Sequence, residues 1–247
     1  MTSIKLMREY WDKLVPEYDL NNHRKWFWSS PDVWADEIAQ RISDCQNVLD
    51  IGCGAGALSI PLSRKFDLYS LDFSWDMLTL LKTRKNELGT EIEMINADAH
   101  NVPFKDESFD AVICRFAIWP LSNPEDAIEE IVRVSKKKVV IIEGDWSKNE
   151  KPTLRQKVIG KPFYRIYDSY YKLATGRNPK KHFKEMRKYH QISTSCEKIK
   201  QWLENSGVII TEVDYSFKDR ISTKKSKFLQ AITGFNEPMF ILSGEKA

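Results

Sequence analysis

Between Asn47 and Glu143 the chain alternates short apolar runs with amphipathic stretches, and this alternation constrains the fold more than any other sequence feature. The apolar runs have the length and β-branched composition of buried strands, whereas the stretches between them repeat apolar residues at helical spacing. Parallel strands need a connection that crosses a face of the sheet, so the alternation indicates a parallel sheet. We therefore predict an α/β protein with helices on both faces of a mostly parallel sheet. The predicted strands are Asn47–Ile51, Asp67–Asp72, Glu91–Ile95, Ser108–Cys114 and Val139–Glu143.

The flanking segments complete a predicted single domain over residues 1–247. Residues 1–45 are expected to form N-terminal helices and residues 46–146 the core. A helical insert is predicted at residues 147–192, and a closing helix and strands at residues 193–247. The predicted helices are Ser3–Asp19, Pro31–Ser43, Ala57–Lys65, Ser74–Leu88, one that begins at Pro124, and Ser195–Ser206, and the closing strands are Val208–Tyr215 and Met239–Ser243.

The composition excludes several classes of protein. With 247 residues, 42% of them hydrophobic, the chain is long enough to bury one ample core. Its apolar runs fall short of the roughly 20 residues of a membrane-spanning helix, and no apolar segment of a secretion signal follows MTSIKLMREYWDKL. The four cysteines are scattered, without a CxxC pair or a His cluster, which favours free thiols over disulfides or zinc. We expect a cytoplasmic protein without a membrane span or a metal site.

The net charge of +3 is unevenly distributed along the chain. Residues 148–188 contain 13 Lys and Arg against 3 Asp and Glu, a net charge of +10. Aromatic side chains alternate with these cations, and helical spacing would place Tyr164, Tyr167 and Tyr171 on one face. We predict that the insert is a basic, aromatic lid that selects an anionic or aromatic ligand. The alternative is that the rings pack the insert onto the domain while the charges face water.

The first predicted strand runs into three alternating glycines in the stretch NVLDIGCGAGALS. Such a turn brings the main chain close to a ligand, since glycine lacks a Cβ and tolerates positive φ. The spacing departs from the dinucleotide pattern G-x-G-x-x-G, and no G-K-[ST] of a phosphate-binding loop follows. Asp50 precedes the first glycine by two residues, and an acid beside a pyrophosphate is unfavourable. The acid suits a cationic cofactor, such as the sulfonium and ammonium groups of S-adenosylmethionine.

Two further acids lie at the carboxyl ends of the next two predicted strands. Asp72 ends the second strand, where a carboxylate can accept hydrogen bonds from both ribose hydroxyls. Asp98 follows the third strand, where it can accept one from an adenine amino group. Each acid alone is also explained as a helix cap or a turn residue. Because ligands bind at the carboxyl ends of parallel strands, the three acids and the glycines together predict a nucleoside cofactor site.

These segments resemble the class I S-adenosylmethionine-dependent methyltransferases, in the branch that methylates small molecules. The stretches VLDIGCGAG and LYSLDFSWDML are similar to the cofactor loop and the ribose-binding segment of that family. NADAHNVPFKDESFDAVICRFAIWPL is similar to its adenine segment, fourth strand and substrate-facing loop, and YWDKLVPEYD to its N-terminal helix. The resemblance spans roughly Tyr10 to Glu143 and implies a Rossmann-like, seven-stranded sheet whose last strand is antiparallel. One departure is Ser135–Lys138, where the family usually has a Pro-Gly-Gly turn.

The resemblance also implies the residues of the site and S-adenosylmethionine as the cofactor. Asp50 and the glycines would hold the methionine part, Asp72 the ribose, and Asp98 the adenine edge. The implied cofactor-binding residues are Tyr18, Asp50, Gly52, Gly54, Gly56, Asp72, Phe73, Met77, Asp98, Ala99 and Arg115. The candidate substrate-binding residues are Trp119, which alternatively packs in the core, and the insert residues Tyr164, Tyr167 and Tyr171.

Methyl transfer is an in-line displacement, so the protein has only to align the acceptor, exclude water and, where needed, remove a proton. His182 and His190 of the insert are candidate general bases. No N/D-P-P-Y/F motif follows the fourth strand and no Pro-Cys pair occurs, which disfavours methylation of nucleic-acid bases. We predict a methyltransferase that acts on a small-molecule acceptor, anionic or aromatic, and expect no nucleic-acid partner. The alternatives are an RNA methyltransferase that binds through residues 148–188, and a binding protein without catalytic activity.

Overall fold

The computed structural model describes residues 3–18, 31–145, 153–175, 194–233 and 238–247, and its centre is a single β-sheet. The strands are β1 (Asn47–Ile51), β2 (Asp67–Asp72), β3 (Glu93–Asn96), β4 (Phe109–Arg115), β5 (Ser135–Gly144), β6 (Val208–Asp214) and β7 (Met239–Lys246). They form one seven-stranded sheet in the order β3-β2-β1-β4-β5-β7-β6. The first five strands pair in parallel, and β7 is antiparallel to both β5 and β6. The predicted α/β, Rossmann-like sheet is confirmed.

Helices pack on both faces of the sheet and form a separate apolar core on each. On one face Ile38, Leu81 and Phe217 belong to one buried cluster. On the other face Ile131 and Ile199 belong to a second buried cluster. The helices are α1 (Ser3–Asp12), α2 (Val15–Tyr18), α3 (Pro31–Arg41), α4 (Ser59–Leu62), α5 (Trp75–Leu88), α6 (Pro124–Val134), α7 (Lys161–Thr175), α8 (Cys196–Asn205), α9 (Phe217–Ile221) and α10 (Lys224–Thr233), and a π-helical turn, Gln156–Gly160, precedes α7.

Two predicted helices were wrong in their extent, and a proline accounts for each. The predicted helix Ser3–Asp19 is divided into α1 and α2 by a turn at residues 13 and 14. Pro16 has no N–H to donate to the carbonyl of residue 12, so one continuous helix cannot form there. The predicted helix Ala57–Lys65 shrinks to α4. Pro61 cannot bond to the carbonyl of Ala57, which accounts for the later start, and residues 63–65 form a turn.

The entry into β5 also differs from the sequence-based expectation. The segment Ser135–Lys138, expected to replace a family turn, is the first part of the strand, so β5 begins four residues before the predicted Val139. Its register against β4 shifts between Phe109 and Ala111, a β-bulge that accommodates the added residues. The Ser135 hydroxyl donates to the carbonyl of Lys138 over 2.9 Å, and the segment lies at the amino edge of the sheet, away from the glycine loop.

Two short helices, α9 and α10, follow β6 in a segment to which the sequence analysis assigned no structure. Phe217 of α9 is fully buried against Trp34 of α3, with ring centroids 5.6 Å apart. The π-helical turn packs against α10, and the Arg155 guanidinium donates to the carbonyl of Ile232 over 3.1 Å. The described part of the insert is therefore held to the domain through α10.

Candidate active site

The three glycines of the loop after β1 all have positive φ, at +72° for Gly52, +54° for Gly54 and +78° for Gly56. A Cβ on Gly52 would lie 2.2 Å from the Ala117 Cβ, and one on Gly56 would lie 2.3 Å from the Leu81 Cδ1. A Cβ on Gly54 would meet no heavy atom within 4 Å. Packing therefore requires two of the glycines, whereas at Gly54 the open space lies beside the loop, where a ligand can approach the main chain.

Asp72 at the end of β2 is tied to the glycine loop and to the start of α5. Its Oδ2 accepts from the Gly54 N–H at 2.8 Å, and its Oδ1 accepts from the Ser74 N–H at 2.9 Å. Burial raises the pKa of Asp72 to about 6, although these two main-chain bonds oppose the shift. The Ser74 hydroxyl caps α5 by accepting from the Met77 N–H at 3.2 Å. Asp72 thus fixes both the loop and the helix that begins after it.

Asp50 at the end of β1 is a second buried carboxylate beside the loop. Its Oδ2 accepts from the Ser59 hydroxyl at 2.6 Å. Burial raises its pKa to about 6, and the negative charge of Asp72 adds to the shift. Arg115 at the end of β4 partly offsets this charge, and its guanidinium lies 5.2 Å from the ring centroid of Trp34. Two buried acids in one site favour a ligand that carries positive charge.

Asp98 lies after β3 and is half-buried. Its Oδ1 accepts from the His100 N–H at 3.0 Å and lies 2.6 Å from the His100 Nδ1. The hydrogen bond to His100 lowers the pKa of Asp98, and the same bond raises the pKa of His100. Ala99 is also half-buried and packs against the apolar core on the α6 face. The sequence analysis did not assign His100 as the hydrogen-bond partner of Asp98.

The N-terminal helices pack over α5 and the glycine loop. Met77, predicted to contact the cofactor, is buried in a small cluster with Leu14 and Ala55. The Arg84 guanidinium donates both to the carbonyl of Ala55 and to that of Tyr18. The Tyr18 ring is partly exposed, and its hydroxyl contributes to the electrostatic environment of Arg115. Phe73, next to Asp72, is half-buried.

A buried acid that the sequence analysis did not single out lies at the end of β5. Glu143 is fully buried, and its Oε2 accepts from the Trp119 N–H at 3.1 Å. Its Oε1 accepts from the Gly144 N–H at 2.9 Å, and burial raises its pKa to about 8. The Trp119 side chain is half-buried, in the loop that follows Phe116, whose φ is +57°. Glu143 therefore fixes the loop predicted to face the acceptor.

Asp145 and Tyr215 form another pair that the sequence analysis did not assign. The Tyr215 hydroxyl donates to the Asp145 Oδ2 over 3.1 Å, and Asp145 is buried. Both residues lie just beyond the carboxyl ends of their strands, β5 and β6. An acid at the end of a predicted strand was the signal that selected Asp72, and the same signal is present at Glu143 in VVIIEGD. Applied throughout, it would have found Glu143.

Several predicted site residues fall outside the described part of the chain. His182 and His190 lie outside the described residues, as do the side chains of Tyr167 and Tyr171. The Tyr164 ring is half-buried, with its centroid 5.7 Å from that of Phe163. The roles proposed for these residues therefore stay predictions.

Over the described ranges, the chain has neither a cluster of three or more His, Cys, Asp or Glu that could hold a metal ion nor a helix long and apolar enough to cross a membrane. The four cysteines are buried and form no disulfide among the described residues.

Known proteins with similar sequences and structures include methyltransferases, in agreement with the fold and the glycine loop described above. Residues 49–142 match the model of the methyltransferase domain. A demethylmenaquinone methyltransferase of Renibacterium salmoninarum is 31% identical over 167 residues, which are 64% of this chain but only 62% of the relative's length. A protein of the same name from Lactobacillus johnsonii is 28% identical over 85% of this chain and 88% of its own. Magnesium protoporphyrin IX methyltransferase from Synechocystis, solved with bound S-adenosylmethionine, has the same fold at a TM-score of 0.60 and 15% identity, over 100% of this chain and 98% of that one.

The parallel sheet with one antiparallel strand and a glycine loop after β1 define a Rossmann-like methyltransferase fold. The match of residues 49–142 to the methyltransferase domain, together with this fold, supports a class I S-adenosylmethionine-dependent methyltransferase. The residues present fit S-adenosylmethionine, the cofactor of this class, on two observations. The loop leaves open space at Gly54, and the buried acids Asp50 and Asp72 both have raised pKa values that a cationic ligand would lower.

Proposed function

We propose that this protein transfers the methyl group of S-adenosylmethionine to a small organic acceptor with an aromatic or quinone-type ring. The observation that carries the proposal is the hydrogen bond from the Gly54 N–H to the buried carboxylate of Asp72. It joins the main chain of the glycine loop to a buried acid that, in this proposal, accepts from the ribose hydroxyls. The names of the two bacterial relatives support a ring-shaped acceptor.

In this proposal the residues around the loop bind and orient the cofactor. Asp50 and the main chain at Gly54 hold its methionine part, Asp72 accepts from its ribose hydroxyls, and Asp98 accepts from its adenine amino group. When bound, the cofactor supplies a methyl carbon already activated by its sulfonium leaving group. The protein then has to align the acceptor and exclude water, which requires no dedicated catalytic side chain.

On the acceptor side, we assign the orienting role to the loop that Glu143 fixes. The ring of Trp119 offers a flat apolar surface next to a hydrogen-bonded main chain. Arg115 at the end of β4 and the pair of Asp145 and Tyr215 add polar groups along the same edge of the sheet. A ring with one or two oxygen atoms matches such a mixture of a flat apolar surface and polar groups.

The test is to incubate the protein with S-adenosylmethionine carrying a labelled methyl group and with a reduced naphthoquinone that lacks its ring methyl group. Mass analysis should detect the labelled methyl group on the ring. The Asp72→Ala protein should form little product, whereas an Asp76→Ala protein, altered at an exposed acid of the adjoining helix α5, should match the wild type. Labelling of RNA instead, or bound cofactor without any labelled product in a whole metabolite extract, would contradict the proposal.

A further inference from the structure

Helix α7 exposes a stripe of large apolar side chains. Ile166, Tyr170 and Leu173 are 73%, 63% and 87% exposed. Their spacing of four and then three residues places them on one face of the helix. Among the described elements, α7 packs mainly against the preceding π-helical turn and not against the sheet. Neither core cluster of the domain includes these three side chains.

Exposed cations lie on a different side of the same helix, about a third of a turn from the apolar stripe. Lys161, Arg165 and Lys172 are exposed, and helical spacing brings them onto one side of the helix. The helix has one acid, Asp168, which is half-buried and lies among these cations, three residues after Arg165 and four before Lys172. An apolar face bordered by exposed cations is the arrangement of helices that lie at the surface of a membrane.

Exposed apolar side chains also lie on the segment before α7 and on α10, which contacts the π-helical turn. Leu154 and Val158 in and before the π-helical turn are exposed, and so is Phe228 of α10. Lys224 and Lys227 of α10 are exposed beside Phe228. The hydrogen bond from Arg155 to the carbonyl of Ile232 holds the two parts of this surface together. We call the surface formed by Leu154, Val158, Ile166, Tyr170, Leu173 and Phe228 the apolar–basic face.

We propose that the apolar–basic face docks the protein on the surface of a lipid bilayer that contains anionic headgroups. The apolar side chains would enter the boundary between headgroups and acyl chains, and the flanking cations would contact the anionic headgroups. Charge complementarity argues for this partner, since the described residues 153–175 carry five Lys and Arg against one Asp, a net charge of +4. Docking goes beyond the proposed reaction, and it would give the enzyme access to a ring acceptor with an apolar tail dissolved in the bilayer.

The test is flotation of the full-length protein with vesicles of phosphatidylcholine, with or without phosphatidylglycerol. We expect the protein to float with the anionic vesicles and to float much less with the neutral ones or at high salt. Ile166→Glu combined with Leu173→Glu should lower the partition coefficient by about tenfold or more, because two apolar anchors become anions. Lys161→Gln with Arg165→Gln and Lys172→Gln should also lower it by about tenfold or more.

Matched controls change equally exposed residues elsewhere on the protein. Leu88→Glu, and Lys82→Gln with Lys105→Gln and Lys136→Gln, should leave flotation unchanged. The proposal is overturned if the wild-type protein stays unbound, if it binds neutral and anionic vesicles alike, or if the α7 variants float like the wild type. A dimer that Ile166→Glu dissociates, without vesicle binding, would assign the face to a second copy and also overturn it. Cofactor binding, measured in the same variants, tests the proposed function separately and should not change.

Discussion

The N–H of Gly54 donates to the Asp72 Oδ2 over 2.8 Å, which joins the loop after β1 to the end of β2. The bond connects the two sequence segments, VLDIGCGAG and LYSLDFSWDML, on which the resemblance to methyltransferases depended. A buried carboxylate that accepts two main-chain N–H groups is held in one orientation. The loop after β1 and the carboxylate of Asp72 are therefore held in a fixed relative geometry.

The first prediction concerns Asp72. Replacing it with alanine should weaken binding of S-adenosylmethionine by about 2–4 kcal/mol, through the loss of two charge-assisted hydrogen bonds to the ribose. Isothermal titration calorimetry measures the change directly. The exposed Asp76, four residues along the chain, gives a control substitution that should leave affinity unchanged. Equal affinities for the wild-type and Asp72→Ala proteins would show that Asp72 does not bind the cofactor and only holds the loop and the start of α5 in place.

The second prediction separates the strain of a left-handed residue from contact with the cofactor. Gly54 and Gly89 have similar positive φ values, +54° and +63°, and an added Cβ would meet no heavy atom within 4 Å at either. An alanine at each position should therefore lower stability alike, by about 1–2 kcal/mol. Only Gly54→Ala should lower the affinity for S-adenosylmethionine, because its Cβ enters the space beside the loop. Equal affinities for the two variants would show that the cofactor does not contact the loop at Gly54.

The third prediction concerns Gly52, where packing is tight. Its added Cβ would lie 2.2 Å from the Ala117 Cβ, so Gly52→Ala should destabilise the fold by about 1–3 kcal/mol from overpacking, in addition to the backbone strain. Urea denaturation of the protein without cofactor measures this. The double variant Gly52→Ala, Ala117→Gly should regain the stability lost to overpacking but not the stability lost to backbone strain. Failure of the second substitution to restore any stability would show that the two residues are not in contact.

The fourth prediction concerns Glu143. Its burial raises its pKa from 4.5 to about 8. A carboxyl with a raised pKa takes up a proton on folding, so its contribution to stability is complete below pH 4.5 and is lost as the pH rises through about 8. Stability should therefore fall across this window by up to about 1.4 kcal/mol per pH unit from this group. Asp50, Asp72 and His100 also have raised pKa values and add slope of the same sign.

Comparison with Glu143→Gln isolates the contribution of this one acid, because glutamine does not titrate. Urea denaturation at several pH values should give a shallower dependence for the variant than for the wild type. Parallel curves for the two proteins would mean that Glu143 keeps its charge in the folded state.

The sequence was sufficient to predict the sheet and the glycine loop because both follow from local patterns. Apolar runs specify strands, an acid at the end of a strand selected Asp72, and an acid two residues before the first glycine selected Asp50. Glu143 follows the same rule but had no counterpart in the resemblance, and it was not selected. The break between α1 and α2 is a local effect of Pro16 that the helical periodicity around it concealed.

The remaining features depend on tertiary contacts that no local pattern contains. Gly56 is needed where Leu81 of α5 approaches the loop, 25 residues further along the sequence, and this approach is visible only in the folded chain. Periodicity could place the aromatic and apolar residues of α7 on helix faces. It could not tell which face meets the domain and which meets solvent, and the exposure of Ile166 and Leu173 settles that question.

The central claim is that the loop and its two buried acids bind S-adenosylmethionine, and calorimetry of the wild-type protein tests it most directly. We predict that S-adenosylmethionine and its demethylated product both bind, and that NAD and ATP do not bind at comparable concentrations. The acids near the loop are the physical reason, since Asp50 and Asp72 attract the cationic and hydroxyl groups of the former pair and repel pyrophosphates. Binding of NAD without binding of S-adenosylmethionine would contradict the account.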